Sequence, residues 1–321
     1  MNSLVSIITP CHNNAAFIGS AIASALAQTY PHIEVIVIDD GSTDNSLEII
    51  RSFNDSRLYW ESQPNQGAPV ARNRCLELAR GDLIKFLDAD DLLLPECIER
   101  QVAQTQEFPQ NRKAIVYGDA IWIDKEGNPI PSYLPRPRKS KEDPIAHILS
   151  NSPLTSCPLH KREYLEVIEG FDPALPRAQE HDLHLRLVLS GVEFVYYPGD
   201  VYKYREHQDF NRISNYSYSR HGAFAHFEAI ENQKELILRE VGTLSPEVKI
   251  ILAQKFWAYG RGILREGYSK EANCYFETAR ELSPEDCANG KSPYPLLVKV
   301  FGANRAEFIL QWAKSVLKIF S

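Results

Sequence analysis

The chain has 321 residues, of which 44% are hydrophobic and 24% charged, and it carries a net charge of −7. This length accommodates one large domain, or one domain with a smaller appendage, and the globular composition excludes a disordered or fibrous chain. The negative balance excludes a surface that grips nucleic acid throughout, since neutralising phosphates takes clustered Lys and Arg.

Residues 4–8 read as a short apolar strand, and between Ala15 and Gln28 the residues Ile18, Ile22, Ala25 and Leu26 recur at helical spacing. A β-branched run, Val35-Ile36-Val37-Ile38, ends in the turn cluster Asp39-Asp40-Gly41-Ser42 and hands over to a helix from about Asp44. A third cycle follows, with a helix from Pro69 to Ala79 and the run Leu83-Ile84-Lys85-Phe86-Leu87 ending in Asp88-Ala89-Asp90-Asp91. Strands that alternate with helices and are apolar on both faces imply a parallel sheet, whose ligands gather beyond the carboxyl ends of the strands. Both acidic clusters sit at such ends.

From about residue 115 to 160 the pattern loosens: Val116-Tyr117 reads as a strand, and the Pro- and Lys/Arg-rich stretch 131–144 as a mobile loop. A helix over 181–190 stops at Gly191, and 192–197 and 201–204 read as strands. Beyond about 220 only helical pattern remains, so the chain divides into a unit of residues 1–218 and a helical extension of residues 219–321. Within the extension, Gly260, Ala272, Phe276, Ala279 and Pro284 fall at tetratricopeptide offsets over about 253–286. Two ordinary helices with a chance match read equally well, because a lone repeat leaves its stacking faces unburied.

Six scattered cysteines (Cys11, Cys75, Cys97, Cys157, Cys274, Cys287) with no CxxC pair fit reduced thiols rather than a disulfide or zinc framework. The chain runs straight into Leu4-Val5-Ser6-Ile7-Ile8, too short and too poor in positive charge for a signal peptide, and no apolar run approaches the roughly 18 residues of a spanning helix. A cytoplasmic protein is expected.

Asp88-Ala89-Asp90 places two carboxylates at one strand end, where strand alternation sends both to the same side. Such hard oxygen ligands suit Mg²⁺ or Mn²⁺. The plainer alternative is a solvated acidic turn capping the helix at Leu92, and the motif alone does not choose between them.

The succession Ser6-Ile7-Ile8-Thr9-Pro10, Asn13, Ala25-Leu26-Ala27-Gln28-Thr29 and Val37-Ile38-Asp39-Asp40-Gly41-Ser42-Thr43-Asp44 resembles the opening of family 2 glycosyltransferases with the GT-A fold. Asn65-Gln66-Gly67, Ala71-Arg72-Asn73 and Gly81-Asp82-Leu83-Ile84-Lys85-Phe86-Leu87-Asp88-Ala89-Asp90-Asp91 continue the match in order, over roughly residues 3–215. The resemblance implies an α/β protein, a nucleotide-binding αβα sandwich with a mixed, mostly parallel sheet, followed here by an all-α segment. It also implies a metal-dependent, inverting enzyme. Such an enzyme moves a sugar from a nucleotide diphosphate, normally UDP, to a hydroxyl of a saccharide or lipid-linked acceptor in cell-surface polysaccharide or glycan synthesis.

By resemblance, Asp39 accepts a hydrogen bond from the base, with Pro10 and Asn13 in the same pocket and Gly67 and Arg72 near the donor. Asp88 faces the ribose and Asp90 ligates the metal. Asp40 and Asp44 read instead as caps of the turn and helix, and Gly41 as a backbone requirement. For Asp39 the functional reading leads, because a carboxylate ending a buried strand needs a partner.

Gln179-Glu180-His181-Asp182-Leu183-His184-Leu185-Arg186-Leu187 resembles the family's acidic motif, but Glu180 stands where members usually carry Asp. Glu180 is the expected general base and Asp182 the fallback; alternatively, Asp182 pairs with Arg186 one turn on. Tyr204-Arg205-Glu206-His207, followed by Ser214, resembles the late segment that closes over the diphosphate. There His207 completes the metal shell or is an ordinary surface histidine, and Arg205 meets phosphate or pairs with a carboxylate.

Two rival classes remain. One is an inactive, transferase-like scaffold working through its helical tail. The other is a nucleotidyltransferase, which would want a Gly- and Lys/Arg-rich loop where residues 10–20 offer only Gly19. From residue 288 on, Lys291, Lys299, Arg305, Lys314 and Lys318 stand against Glu307, and Phe308, Ile309, Trp312, Val316, Leu317 and Phe320 share roughly one helical face. That face either rests on an anionic membrane or covers the tail's own core, and association into an oligomer is also compatible. Acceptor choice falls to loops such as 131–144 and the region around Ser156.

Overall fold

The computed structural model describes residues 3–109, 111–132, 135–175, 177–207, 218–219 and 222–319, with side chains as far as residue 313. The chain forms two compact units, Met1–Asp209 and Phe210–Ser321.

The first unit is an eight-stranded sheet: β1 Val5–Cys11, β2 Ile33–Asp40, β3 Leu58–Gln63, β4 Leu83–Phe86, β5 Leu92–Leu93, β6 Ala114–Ile123, β7 Pro158–Lys161 and β8 Glu193–Arg205. Their order is β3-β2-β1-β4-β7-β6-β8-β5. Strands β3, β2, β1 and β4 are parallel, β7 runs antiparallel to β4 and β6, and β6 and β8 are parallel. Helices α1 Ile18–Leu26, α2 Ser46–Ser52, α3 Ala68–Leu78, α4 Cys97–Gln106, α5 Pro144–Ser150, α6 Arg162–Val167 and α7 Gln179–Leu189 accompany the sheet. This is the mixed α/β architecture expected from the motifs.

Every residue of β1 and β2 is buried, which is why these strands read as continuous β-branched runs rather than as alternation. The register sets Cys11 beside Asp39 and Ile8 beside Phe86, so the carboxyl ends of β1, β2 and β4 lie side by side. Strand β3 is half-exposed and carries no apolar run, so its sequence gives no strand signal; α5 and β7 lie where the pattern loosens, and α4 and α6 just outside that stretch. The two short strands expected at 192–197 and 201–204 are one strand, β8, whose Pro198-Gly199-Asp200 interrupts the apolar pattern. Opposite it, a Cβ on Gly118 would come within 2.5 Å of the Gly199 carbonyl oxygen. The register of β6 and β8 shifts at that point. A bulge needing close backbone approach explains both the glycine and the missed length of β6.

The stretch 131–144, expected to be a mobile loop, is anchored in its described part by Glu142. Its carboxylate accepts from Arg136 Nη1 at 2.7 Å and from the Lys139 amide at 3.0 Å, while Arg138 Nη1 donates to the Glu142 carbonyl at 3.0 Å. Asn151 Nδ2 holds the Arg136 carbonyl at 2.9 Å.

The second unit contains α8 Ala225–Val241, α9 Pro246–Arg265, α10 Ser269–Leu282 and α11 Tyr294–Ile319, the last broken at Gly302, whose φ is 77°. Helices α9 and α10 pack through small residues: Ala272 and Ala279 are fully buried, and a Cβ on Gly260 would meet the Tyr275 Cβ at 2.8 Å. Trp257, also fully buried, donates from Nε1 to the Tyr294 hydroxyl at 3.1 Å.

Gly260→Val overfills the α9–α10 contact and should destabilise the helical unit by about 1–3 kcal/mol, read as a lowered thermal midpoint. The Arg136 guanidinium pulls the Glu142 carboxyl down from 4.5 to about 2. A depressed folded-state value stabilises above the unfolded value and is lost as pH falls through the folded one. The stability gap between wild type and Glu142→Gln should therefore be full above pH 4.5 and close as pH falls to about 2; denaturant titrations across that range check it.

Candidate functional site

The site begins where β1 and β2 end. Asp39 is 1% exposed; one carboxylate oxygen accepts from Ser62 Oγ at 2.8 Å and the other from the Ser42 amide at 3.3 Å. Asp40 accepts from Gln63 Nε2 at 2.8 Å and from the Gln66 and Gly67 amides at 2.9 and 2.8 Å. It thus ties the end of β2 to the loop that starts α3. Gly67 lies at φ 92°. Gly41, at φ 70°, has no room for a side chain, since a Cβ would fall 2.7 Å from the Asn65 amide nitrogen.

The loop after β1 is laced to the loop after β2. The Asn13 amide donates to Ser42 Oγ at 3.0 Å, and its Oδ1 accepts from the Thr43 amide at 2.7 Å. Asp44 accepts from the Ala15 amide at 3.0 Å and from the Ser46 amide at 3.0 Å. Asn13 takes a left-handed φ of 52°, a conformation Asn tolerates better than most residues. Pro10 is buried in β1 beside Ile38.

Arg72, on α3 and 8% exposed, joins two distant parts of the chain. Its Nη2 donates to Asp88 Oδ1 at 2.7 Å, and its Nη1 to Gln179 Oε1 at 2.7 Å. The guanidinium lies 5.2 Å from the centre of the Phe171 ring. Asn73 holds that ring in place, accepting from the Phe171 amide and donating to its carbonyl, both at 2.8 Å. The Ala71-Arg72-Asn73 motif is therefore one support: Asn73 fixes the aromatic plate and Arg72 rests on it. Arg72 Nε is buried with no hydrogen-bond partner among the described residues.

Beyond Asp88, whose amide donates to Ser156 Oγ at 3.3 Å, the chain presents Asp90 to His207: Asp90 Oδ2 and His207 Nε2 are 3.0 Å apart. Asp91 is 1% exposed and accepts from the Arg205 amide at 2.9 Å. The Arg205 guanidinium donates to the carbonyls of Asp90 at 3.1 Å and Lys125 at 2.9 Å, and stacks 5.0 Å from the Phe17 ring centre. The same ring lies 4.9 Å from His207. Arg205 thus braces the segment that carries Asp90.

No cluster of three or more metal-ligating side chains occurs among the described residues. The Asp90–His207 pair offers one carboxylate and one imidazole. That donor set fits Mn²⁺ or Mg²⁺ only when substrate phosphate and water complete the shell, the usual arrangement for such ions.

Helix α7 brings the remaining carboxylates. Asp182 is paired with Arg186 at 2.7 Å, and Arg186 Nη1 donates to the carbonyls of Ile168 at 2.6 Å and Gly170 at 2.7 Å. Burial raises the Asp182 carboxyl above its ordinary range even though Arg186 opposes the shift. The Glu180 side chain is 30% exposed, with His181 Nε2 at 3.6 Å.

The structure thus brings Arg72, Asp88 and the start of α7 together, and separately Asp90, Arg205 and His207. Ser214 lies outside the described residues. Sequence reasoning missed Phe17 and Ser62, gave Ser156 only as part of an acceptor-setting region, and gave Gln179 no role of its own. Gln179 opens the quoted acidic motif, which was the one available signal for it. A cavity of about 340 Å³, lined by residues such as Ser3, Asp82, Lys161 and Glu166, belongs to the opposite, amino ends of β1 and β4; none of the expected site residues lines it.

A double-mutant cycle of Arg72→Met and Asp88→Asn should return a coupling above about 1 kcal/mol in urea unfolding, because the pair is in contact and half-buried. Additive effects would mean that the ion pair does not bridge β4 to α3.

The sequence model of glycosyl transferase family 2 matches residues 6–168. The chondroitin synthase of Escherichia coli is 32% identical over 241 residues, 72% of this chain and 31% of that protein. Among eight of the curated relatives it matches, the chain spans between 27% and 62% of their length. Among solved structures, TarS residues 1–349 of S. aureus, in complex with UDP-GlcNAc, superposes with a TM-score of 0.71 at 18% identity, covering 97% of this chain and 92% of that one. The mannosyltransferase PcManGT of Pyrobaculum calidifontis, in complex with GDP-Man and Mn²⁺, gives 0.56 at 19% identity, covering 98% and 87%. At those identities the two structures establish a shared fold. The family match spans residues 6–168, which include Asp39, Arg72 and Asp88, and makes this chain a member of glycosyl transferase family 2.

Proposed function

We propose that the chain transfers a sugar from a nucleoside diphosphate, UDP in the first instance, to a hydroxyl of a saccharide or lipid-linked acceptor in cell-surface polysaccharide synthesis, with inversion. The observation that carries this reading is the Arg72 bridge, which holds the Asp88 end of β4 beside the first residue of α7. It sets the carboxylates expected to meet the donor next to the helix whose second residue is Glu180. The nucleotide sugars bound by TarS and PcManGT support the same donor class, and the chondroitin synthase relative supports polysaccharide synthesis.

Asp39, with Pro10 and Asn13 beside it, meets the base, while Gly67 and Arg72 line the donor and Asp88 faces the ribose. Asp90 and His207 would hold Mg²⁺ or Mn²⁺, which supplies positive charge to the departing diphosphate. Arg205 acts at one remove, through the carbonyls it holds. Of the two carboxylates on α7, Asp182 is committed to Arg186, which favours Glu180 as the base. The acceptor oxygen attacks the anomeric carbon as Glu180 takes its proton. The bond from that carbon to the diphosphate oxygen breaks with its electron pair going to the diphosphate. One displacement inverts the centre.

Incubation with a panel of nucleoside diphosphate sugars, Mn²⁺ and saccharide acceptors should release nucleoside diphosphate. Glu180→Gln should lower turnover by about 10²–10⁴-fold, the range for loss of a general base, with donor affinity unchanged. Retained turnover in that variant would remove Glu180 from its role. No release with any donor would favour the scaffold reading.

A further inference from the structure

We infer that the outward face of α11 binds an anionic lipid surface, lying along it rather than crossing it. Residues 288–321 contain Lys291, Lys299, Arg305, Lys314 and Lys318 and a single acid, Glu307. That acid is 2% exposed and turned inward, paired with Arg261 at 2.8 Å and Arg265 at 2.5 Å. Ala306 and Ala303, 0% and 5% exposed, lie on the same inward side. Among the described side chains of α11, the charged residues shown to solvent, Lys299 and Arg305, are therefore basic, in a chain whose net charge is −7.

The apolar side chains face the same way. Phe308 is 71% exposed and Trp312 62%, and with the exposed Arg305 they recur at helical spacing on the side away from Ala303, Ala306 and Glu307. Before the break at Gly302, Leu296, Val300 and Phe301 are 64%, 63% and 45% exposed, beside the exposed Lys299. Five of the eleven exposed large apolar side chains among the described residues thus fall within α11.

Aromatic and aliphatic groups interleaved with Lys and Arg are the composition that partitions into an anionic headgroup layer. Of the face that the sequence offers for covering the tail's own core, Phe308 and Trp312 are exposed and Ile309 is half-buried, while the side chains of Val316, Leu317 and Phe320 lie outside the described residues. No described helix is long and apolar enough to cross a membrane. Two such faces from separate copies would meet with like charge, which disfavours self-association through them.

Flotation of the full chain with vesicles tests this. The chain should float with phosphatidylcholine mixed with phosphatidylglycerol and stay behind with phosphatidylcholine alone; high salt should release it. Arg305→Glu should weaken partitioning roughly 25-fold, at about fivefold per unit charge near an anionic surface. Phe308→Ser with Trp312→Ser should abolish flotation and leave the thermal midpoint unchanged, since both side chains are solvent-exposed. The inference is overturned if wild type fails to float, if it floats equally on the neutral vesicles, or if both variants float as wild type does. It is also overturned if wild type is a dimer that Trp312→Ser dissociates while neither form binds vesicles, for then a second copy covers the face. None of these outcomes depends on which sugar the first unit handles.

Discussion

One buried guanidinium organises the carboxyl edge of the sheet. Arg72 reaches Asp88, sixteen positions on, and Gln179, more than a hundred on, and rests on the Phe171 ring that Asn73 clamps. A planar fork with fixed donor directions suits this task, since it meets two acceptors on different elements while its face rests on a ring. Because the guanidinium is 8% exposed, removing one partner leaves charge with little water to compensate it. The strand that ends in Asp88 and the helix that begins at Gln179 are thus held by the same group.

Adjacent carboxylates divide their work. Asp40 accepts three hydrogen bonds that fix the start of α3, and Asp91 holds the Arg205 amide. Asp182 holds Arg186, which in turn holds two carbonyls. Each sits within two residues of a carboxylate proposed to meet donor, metal or acceptor: Asp39, Asp90 and Glu180. A buried carboxylate needs donors, and a loop that must not move needs acceptors. Pairing a scaffold acid with a working acid meets both needs at one strand or helix end, and it explains why the acidic clusters are longer than the chemistry requires.

The same division marks the limit of legibility in the sequence. Strands β1, β2 and β4 announced themselves because burial on both faces leaves apolar runs, and the acids after them marked the carboxyl edge. The pairing of Asp182 with Arg186 one turn on was among the readings the sequence offered, whereas the hold of Arg205 on backbone carbonyls was not readable, because Asp90 and Lys125 come from other parts of the chain. The interrupted apolar pattern at Gly118 and Gly199 hid the continuity of β6 and β8, although a bulge is what those glycines serve. Likewise Glu307 reads in sequence as one more exposed charge on a basic tail. Only its burial between Arg261 and Arg265 leaves Lys299 and Arg305 without an exposed acid among the described side chains of α11.

The start of α7 carries the argument one step further. Ala178, the residue before it, takes a left-handed φ of 53° and no side chain caps the helix. For an alanine that conformation costs on the order of 1 kcal/mol, and without a cap the first turn has no local support. What holds it is tertiary: Gln179 against Arg72 at one end of the turn, and Asp182 with Arg186 against the 168–170 carbonyls at the other. Glu180 sits between these two fixed points. Its position is therefore set by Arg72 and Arg186 rather than by helix propensity, and a carboxylate one methylene longer than aspartate can serve there only because both ends of the turn are pinned.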